Sequence, residues 1–185
     1  MTVPHGAPSL LHLGVITVFV GHVLGLLVPR RWTAALGISD RFYHLISVTA
    51  GTLAGVVIVA GLALLVARRV HLSALRRSST ATDVVMYALL AVVVLLGLWA
   101  KAGVNMLGQG HDYRETVAVW FRGVLVLRPD ASLMTGVPVL MQLHTLAALA
   151  LMAIWPITRL VHAWAVTIGV LWRPRPVRVD RPHAG

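Results

Sequence analysis

From Phe42 to Ala67 the chain reads FYHLISVTAGTLAGVVIVAGLALLVA, without a single Asp, Glu, Lys or Arg. A hydrocarbon layer about 30 Å thick is crossed by about 20 residues of helix, so a run of this length and polarity reads as a membrane span. Three more apolar runs lie on either side of it: Pro8 to Val28, Val84 to Ala100, and Leu133 to about Trp172, with Pro156 expected to kink the last. The predicted fold class is therefore all-α integral membrane, a bundle of four transmembrane helices over residues 1–172, followed by a Pro- and Arg-rich tail over 173–185. The first run lacks a basic segment before it and is long for the core of a signal peptide, so it is expected to be retained.

Composition agrees. The 185 residues are 58% hydrophobic and 12% charged, and the mean hydropathy is +0.83, well above a soluble domain. There is no cysteine, which excludes disulfides, iron–sulfur ligation by this chain and covalent haem attachment. The formal charge of +10 comes from arginines that flank apolar runs rather than forming a basic face interleaved with aromatics. Lipid is the implied surroundings, and nucleic acid is not an expected partner. With four spans, the N-terminus, the loop holding Arg68, Arg69, Arg76 and Arg77, and the tail holding Arg173, Arg175, Arg178 and Arg181 share one side. The positive-inside rule places that side, and both termini, in the cytoplasm of a cell inner membrane.

Nine histidines are present, and His12, His22, His144 and His162 fall inside the first and fourth runs. An imidazole in the bilayer is costly; it either bonds a carbonyl of a neighbouring helix or serves a function. Crossing parity makes the two runs antiparallel, which sets His22 and His144 toward the outer side and His12 and His162 toward the cytoplasm. At 3.6 residues per turn, the step from His144 to His162 closes on whole turns, so both rings share a helix face. Two neutral imidazoles fill the axial positions of a haem iron, and glycines such as Gly14, Gly21 and Gly25 let the flat ring approach backbone. Two haem b groups are the expected cofactors. Zinc fits less well without cysteine or clustered carboxylates. Arg159, one turn before His162, is placed either to pair with a haem propionate or to snorkel to the interface.

At this point the residues resemble the gamma subunit family of respiratory nitrate reductase, membrane di-haem cytochromes b. The segment Leu11-His12-Leu13-Gly14 followed by Phe19-Val20-Gly21-His22-Val23-Leu24-Gly25 is similar to the family's first haem helix. Gln142-Leu143-His144 followed by Trp155-Pro156-Ile157-Thr158-Arg159-Leu160-Val161-His162-Ala163-Trp164 is similar to its last, and the loop from Arg76 to Asp83 also resembles the family. The family usually has five spans, and the one expected before the first run is absent here.

The resemblance implies that residues 1–172 form a transmembrane di-haem domain, with His12 and His162 on the proximal haem iron and His22 and His144 on the distal one. It implies an electron-transfer subunit of a quinol:nitrate oxidoreductase: quinol is oxidised at the distal haem, and electrons pass to an iron–sulfur beta subunit and a molybdenum-containing alpha subunit that reduces nitrate. For the quinol site Tyr43 and His44 are the candidates, since a group able to bond or deprotonate quinol is needed near the outer haem. An aromatic anchor and a solvated ring are the other readings of those two residues. Lys101 and His111 are secondary candidates. Two other functions stay open: a related haem b subunit serving another acceptor module, such as sulfur metabolism, and a haem-free membrane anchor with histidines as polar glue.

Overall fold

The computed structural model describes residues 7–71, 80–106 and 111–157, and every regular element among them is helical. Helix α1 (Ala7–His22) runs into one wider π-type turn, Val23–Leu27. A short α2 (Arg30–Ala35) precedes the long α3 (Asp40–His71). Helix α4 (Ala81–Met106) follows, then α5 (Val117–Leu125) and α6 (Val139–Ile154). Two stretches, Asp40–His71 and Ala81–Gly103, are long and apolar enough to cross a membrane; Leu11–Leu27 and Val139–Ile154 are shorter apolar helices.

The helix ends follow from local chemistry. Ser39 Oγ accepts from the Phe42 amide, and Asp40 stands in the first turn of α3, where a carboxylate meets the positive end of the helix dipole. Arg68, Arg69 and His71 occupy its last turn, the end that favours cations. At the start of α4, Thr80 and Asp83 cap each other: the Thr80 amide donates to Asp83 Oδ2 and the Asp83 amide to Thr80 Oγ1.

The fourth run departs from expectation at its start. Instead of a helix from Leu133, Ala131–Met134 forms a 3-10 turn, Gly136 takes a left-handed φ of +83°, and α6 begins only after Pro138. Apolar residues alone made Leu133 look helical; the left-handed glycine and the proline break the ladder there. Gln142 Nε2 then bonds the Val137 carbonyl at 2.8 Å, tying the break to the new helix. At the other end α6 gives way to a 3-10 turn, Trp155–Ile157, around Pro156. Arg159, His162 and the tail over 173–185 lie outside the described residues.

Packing is sequential: α1 on α3, α3 on α4, α4 on α6. Glycines bring the backbones close, as helices in lipid need when no water drives them together. A Cβ on Gly14 would lie 2.6 Å from Ile58 Cγ1, and one on Gly61 3.0 Å from the Leu11 amide nitrogen. On the other side of α3 a Cβ on Gly55 would lie 3.0 Å from Leu98 Cδ1. Ala54, Ile58 and Leu62 form the buried stripe of α3, while Leu13, Phe19, Leu53, Leu95 and Leu146 point outward, an apolar exterior suited to hydrocarbon. Arg69 on α3 donates to the buried Asp83 carboxylate at 2.9 Å and to the Tyr87 hydroxyl at 3.2 Å, latching α3 to α4 at that end.

A histidine pair beside a tyrosine and lysine cluster

His22 closes α1 and His144 lies in the second turn of α6. Their ring centroids are 6.1 Å apart and their planes are inclined by 35°. The α1 and α6 helices are not among the closely packed pairs of the described residues, so it is the two rings that approach each other rather than the helix backbones. Each ring is held by a backbone carbonyl through Nδ1: His22 to Val18 at 2.8 Å on its own helix, His144 to Val93 of α4 at 3.0 Å. With Nδ1–H donating, Nε2 carries the free lone pair, the tautomer a metal-binding histidine takes.

The spacing suits one metal ion between two rings. A metal–imidazole nitrogen bond of about 2 Å on each side, plus about 1 Å from each nitrogen to its ring centre, sums to about 6 Å. No set of three or more His, Asp or Glu residues able to hold a metal is found among the described residues, so a closed four-ligand site is not built there. Haem asks the protein for only two axial ligands and an apolar slot. Gly21 stands next to His22 on an exposed helix surface, with no heavy atom within 4 Å of where a Cβ would be. Gly25 differs: its Cβ position lies 2.7 Å from the Tyr113 hydroxyl. On the α6 side, Gly97 of α4 lets His144 pack against backbone, with Cε1 2.7 Å from the Cβ position. His12 lies on α1, ten residues before His22. The structure thus brings together His22 and His144, while the partner expected for His12 is outside the described residues.

Next to this pair is a polar cluster only part of which the sequence pointed to. Tyr43 and Tyr113 hydroxyls lie 3.3 Å apart. Lys101 Nζ donates to Ser47 Oγ at 2.6 Å and sits 5.0 Å from the centre of the Tyr113 ring. The Arg114 guanidinium lies 3.9 Å over the Tyr43 ring. It also donates to Asp40 at 3.3 Å and to the Thr33 hydroxyl, and is itself buried. Arg30 joins Asp40 to Glu115, donating to the latter at 3.1 Å; its hydrogen bonds to Asp40 first and Glu115 second hold the guanidinium still more firmly protonated. Arg122 of α5 donates to the Leu26 carbonyl at 2.7 Å, satisfying a group the wide turn after His22 leaves without an ordinary helical partner. His44 stands exposed on α3, one residue from this cluster. His111 bonds the Thr116 hydroxyl at 2.8 Å instead of joining it.

Tyr113, Ser47 and Arg114 were not singled out by the sequence. Arg114 and Tyr113 sit in a charged segment that reads as a solvated loop, and Ser47 is one of several small polar residues in an apolar run. The only available hint was the Tyr-Arg pair inside the longest loop.

The family model "Nitrate reductase gamma subunit" matches residues 5–181. The chain is 44% identical over 169 residues to "Nitrate reductase-like protein NarX" of Mycobacterium tuberculosis, covering 91% of this chain but 26% of that protein. It therefore spans about a quarter of the length of those mycobacterial relatives. It is 38% identical over 165 residues to "Nitrate reductase gamma chain" of Bacillus subtilis, covering 89% of this chain and 74% of that one. With "Respiratory nitrate reductase 1 gamma chain" of Escherichia coli the identity is 29% over 168 residues, 90% of this chain and 74% of the other. The chain belongs to the nitrate reductase gamma subunit family.

Proposed function

We propose that this chain is a four-span membrane cytochrome b that oxidises quinol near its outer face and passes the electrons through two haem b groups to a cytoplasmic iron–sulfur and molybdenum nitrate reductase. The observation that carries the reading is the His22–His144 pair, whose 6.1 Å centroid separation matches two imidazoles sharing one iron. Bound haem supplies one-electron carriage that no side chain of this chain offers.

The chain's own residues do the rest. The Val18 and Val93 carbonyls fix the two rings so that Nε2 is presented. Gly25, one turn beyond His22, admits the Tyr113 hydroxyl. His12 on α1 and His162 in the fourth run are assigned to the second haem, with Arg159 near its propionates; Tyr43 and His44 are assigned to the quinol site. The arginines after α3 and in the tail place the C-terminus in the cytoplasm, where the beta and alpha subunits dock.

Spectroscopy of purified protein tests this. Pyridine haemochrome titration is expected to give about two haem b per chain. His22→Ala or His144→Ala should lose one haem, and His12→Ala or His162→Ala the other. Haem-free wild type would sink the reading; loss of both haems from every single variant would refute the separate pairs.

A further inference from the structure

One turn beyond His22, the part-buried Tyr113 and Tyr43 hydroxyls meet, with Lys101, Ser47 and Arg114 beside them. We propose that the Tyr113 and Tyr43 hydroxyls are the exit path for protons released when quinol is oxidised beside His22, with Lys101 and Ser47 closing its inner end. This deepens the quinol-oxidising reading above and rests on it.

The path begins one turn beyond His22. There the Tyr113 hydroxyl lies against Gly25, 2.7 Å from its Cβ position, so any larger residue would push the hydroxyl away from α1. The next oxygen is Tyr43, 3.3 Å from Tyr113. Tyr43 follows Asp40 by three residues on α3, and positions i and i+3 share a helix face. The Asp40 side chain is 55% exposed, so water reaches it. Arg114 joins the two, stacking 3.9 Å over the Tyr43 ring while donating to Asp40 at 3.3 Å. Behind the tyrosines, Lys101 donates to Ser47, one turn deeper than Tyr43 on the same face of α3.

The chemistry balances. Quinol gives up two electrons and two protons as its two C–O bonds become C=O; bound haem would take the electrons one at a time. Each proton is accepted by the Tyr113 oxygen as that hydroxyl's own proton moves to Tyr43, and Tyr43 likewise hands one on to water at Asp40. Neither tyrosine ends with a net change. Lys101 beside the Tyr113 ring and the Arg114 guanidinium over Tyr43 both disfavour a proton held on either hydroxyl, so it passes on to water.

The experiment uses the haem-loaded protein and compares wild type with Tyr113→Phe, Tyr43→Phe and the double variant. Haem content and dithionite reduction are measured first, then stopped-flow haem reduction by a quinol analogue in H2O and in D2O. Either Phe variant should keep its haem and its dithionite response while the saturating quinol rate falls roughly 10-fold or more. The solvent isotope effect should rise. Because the two hydroxyls act in series, the double variant should be no slower than the worse single one. Wild-type rates and isotope effects in Tyr113→Phe would overturn the path. So would a double variant slowed by the product of the single effects, or haem loss from both Phe variants, which would make the hydroxyls structural. A haem-loaded wild type that quinol does not reduce would overturn the quinol reading itself, and the path with it.

Discussion

Replacing Gly97 with Ala adds one methyl group at the back of the His144 ring, and the structure sets the size of the effect. The new Cβ would stand 2.7 Å from Cε1, 3.0 Å from Nδ1 and 3.4 Å from Nε2 of that ring. Carbon atoms rest comfortably at about 3.5–4.0 Å, so the imidazole must withdraw by about 1 Å. A long flexible side chain would absorb this; a ring pinned at 3.0 Å to the Val93 carbonyl does not. Val93 lies four residues before Gly97 on the same face of α4, so moving off the methyl also stretches that hydrogen bond beyond about 3.5 Å.

Losing the bond costs about 1 kcal/mol. Losing the carbonyl that orients a ligating ring typically lowers metal affinity about 10- to 100-fold. Gly97→Ala should therefore fold, remain in the membrane, and purify with close to one haem per chain instead of two. Pyridine haemochrome titration with low-temperature reduced spectra measures this directly. A variant carrying the full haem complement with an unchanged spectrum would falsify the claim that the α4 backbone sets the position of the His144 ring.

Three further outcomes are expected. Asp83→Ala removes a buried carboxylate that pairs with Arg69 and caps α4; it should lower stability by about 3 kcal/mol, the lower end for a broken buried pair because Arg69 retains some solvent. Thermal unfolding in detergent measures it, and an unchanged midpoint would mean the latch does not hold α3 to α4. His44→Ala is expected to slow haem reduction by a quinol analogue much more than it lowers haem content; equal rates at matched haem occupancy would leave Tyr43 as the remaining candidate. Truncation after Trp172 should leave haem content intact but abolish co-purification of an iron–sulfur partner, and undiminished assembly would remove the tail from the docking surface.

Hydropathy made the apolar helices legible because a span in lipid has to be long, apolar and nearly free of charge. It said much less about where they stop. Leu133 looked like a helix start, but Gly136 and Pro138 defer the helix to Val139. The short helices α2 and α5 lie in polar connections whose composition resembles any loop. Among the candidate residues, the approach of His22 to His144 was readable because imidazoles are conspicuous in apolar runs. The carbonyls that hold them were not, since Val18 and Val93 act through the backbone and any residue would supply the same oxygen. Tyr113 escaped notice for a different reason: its value comes from meeting Gly25, a contact between segments far apart in sequence.

The gap between His22 and His144 is gauged indirectly. With α1 packed on α3, α3 on α4 and α4 on α6, the distance between the rings is the end of a dimensional chain of three joints. In such a chain the play of every joint is passed on to the last dimension. Glycines stand at each of them: Gly14 and Gly61 bring α1 and α3 backbone together, Gly55 seats the Leu98 side chain against α3, and Gly97 seats the His144 ring against α4. A substitution at Gly61, packed on Leu11 at the other end of α1 from His22, is thus a change of tolerance at the pair itself.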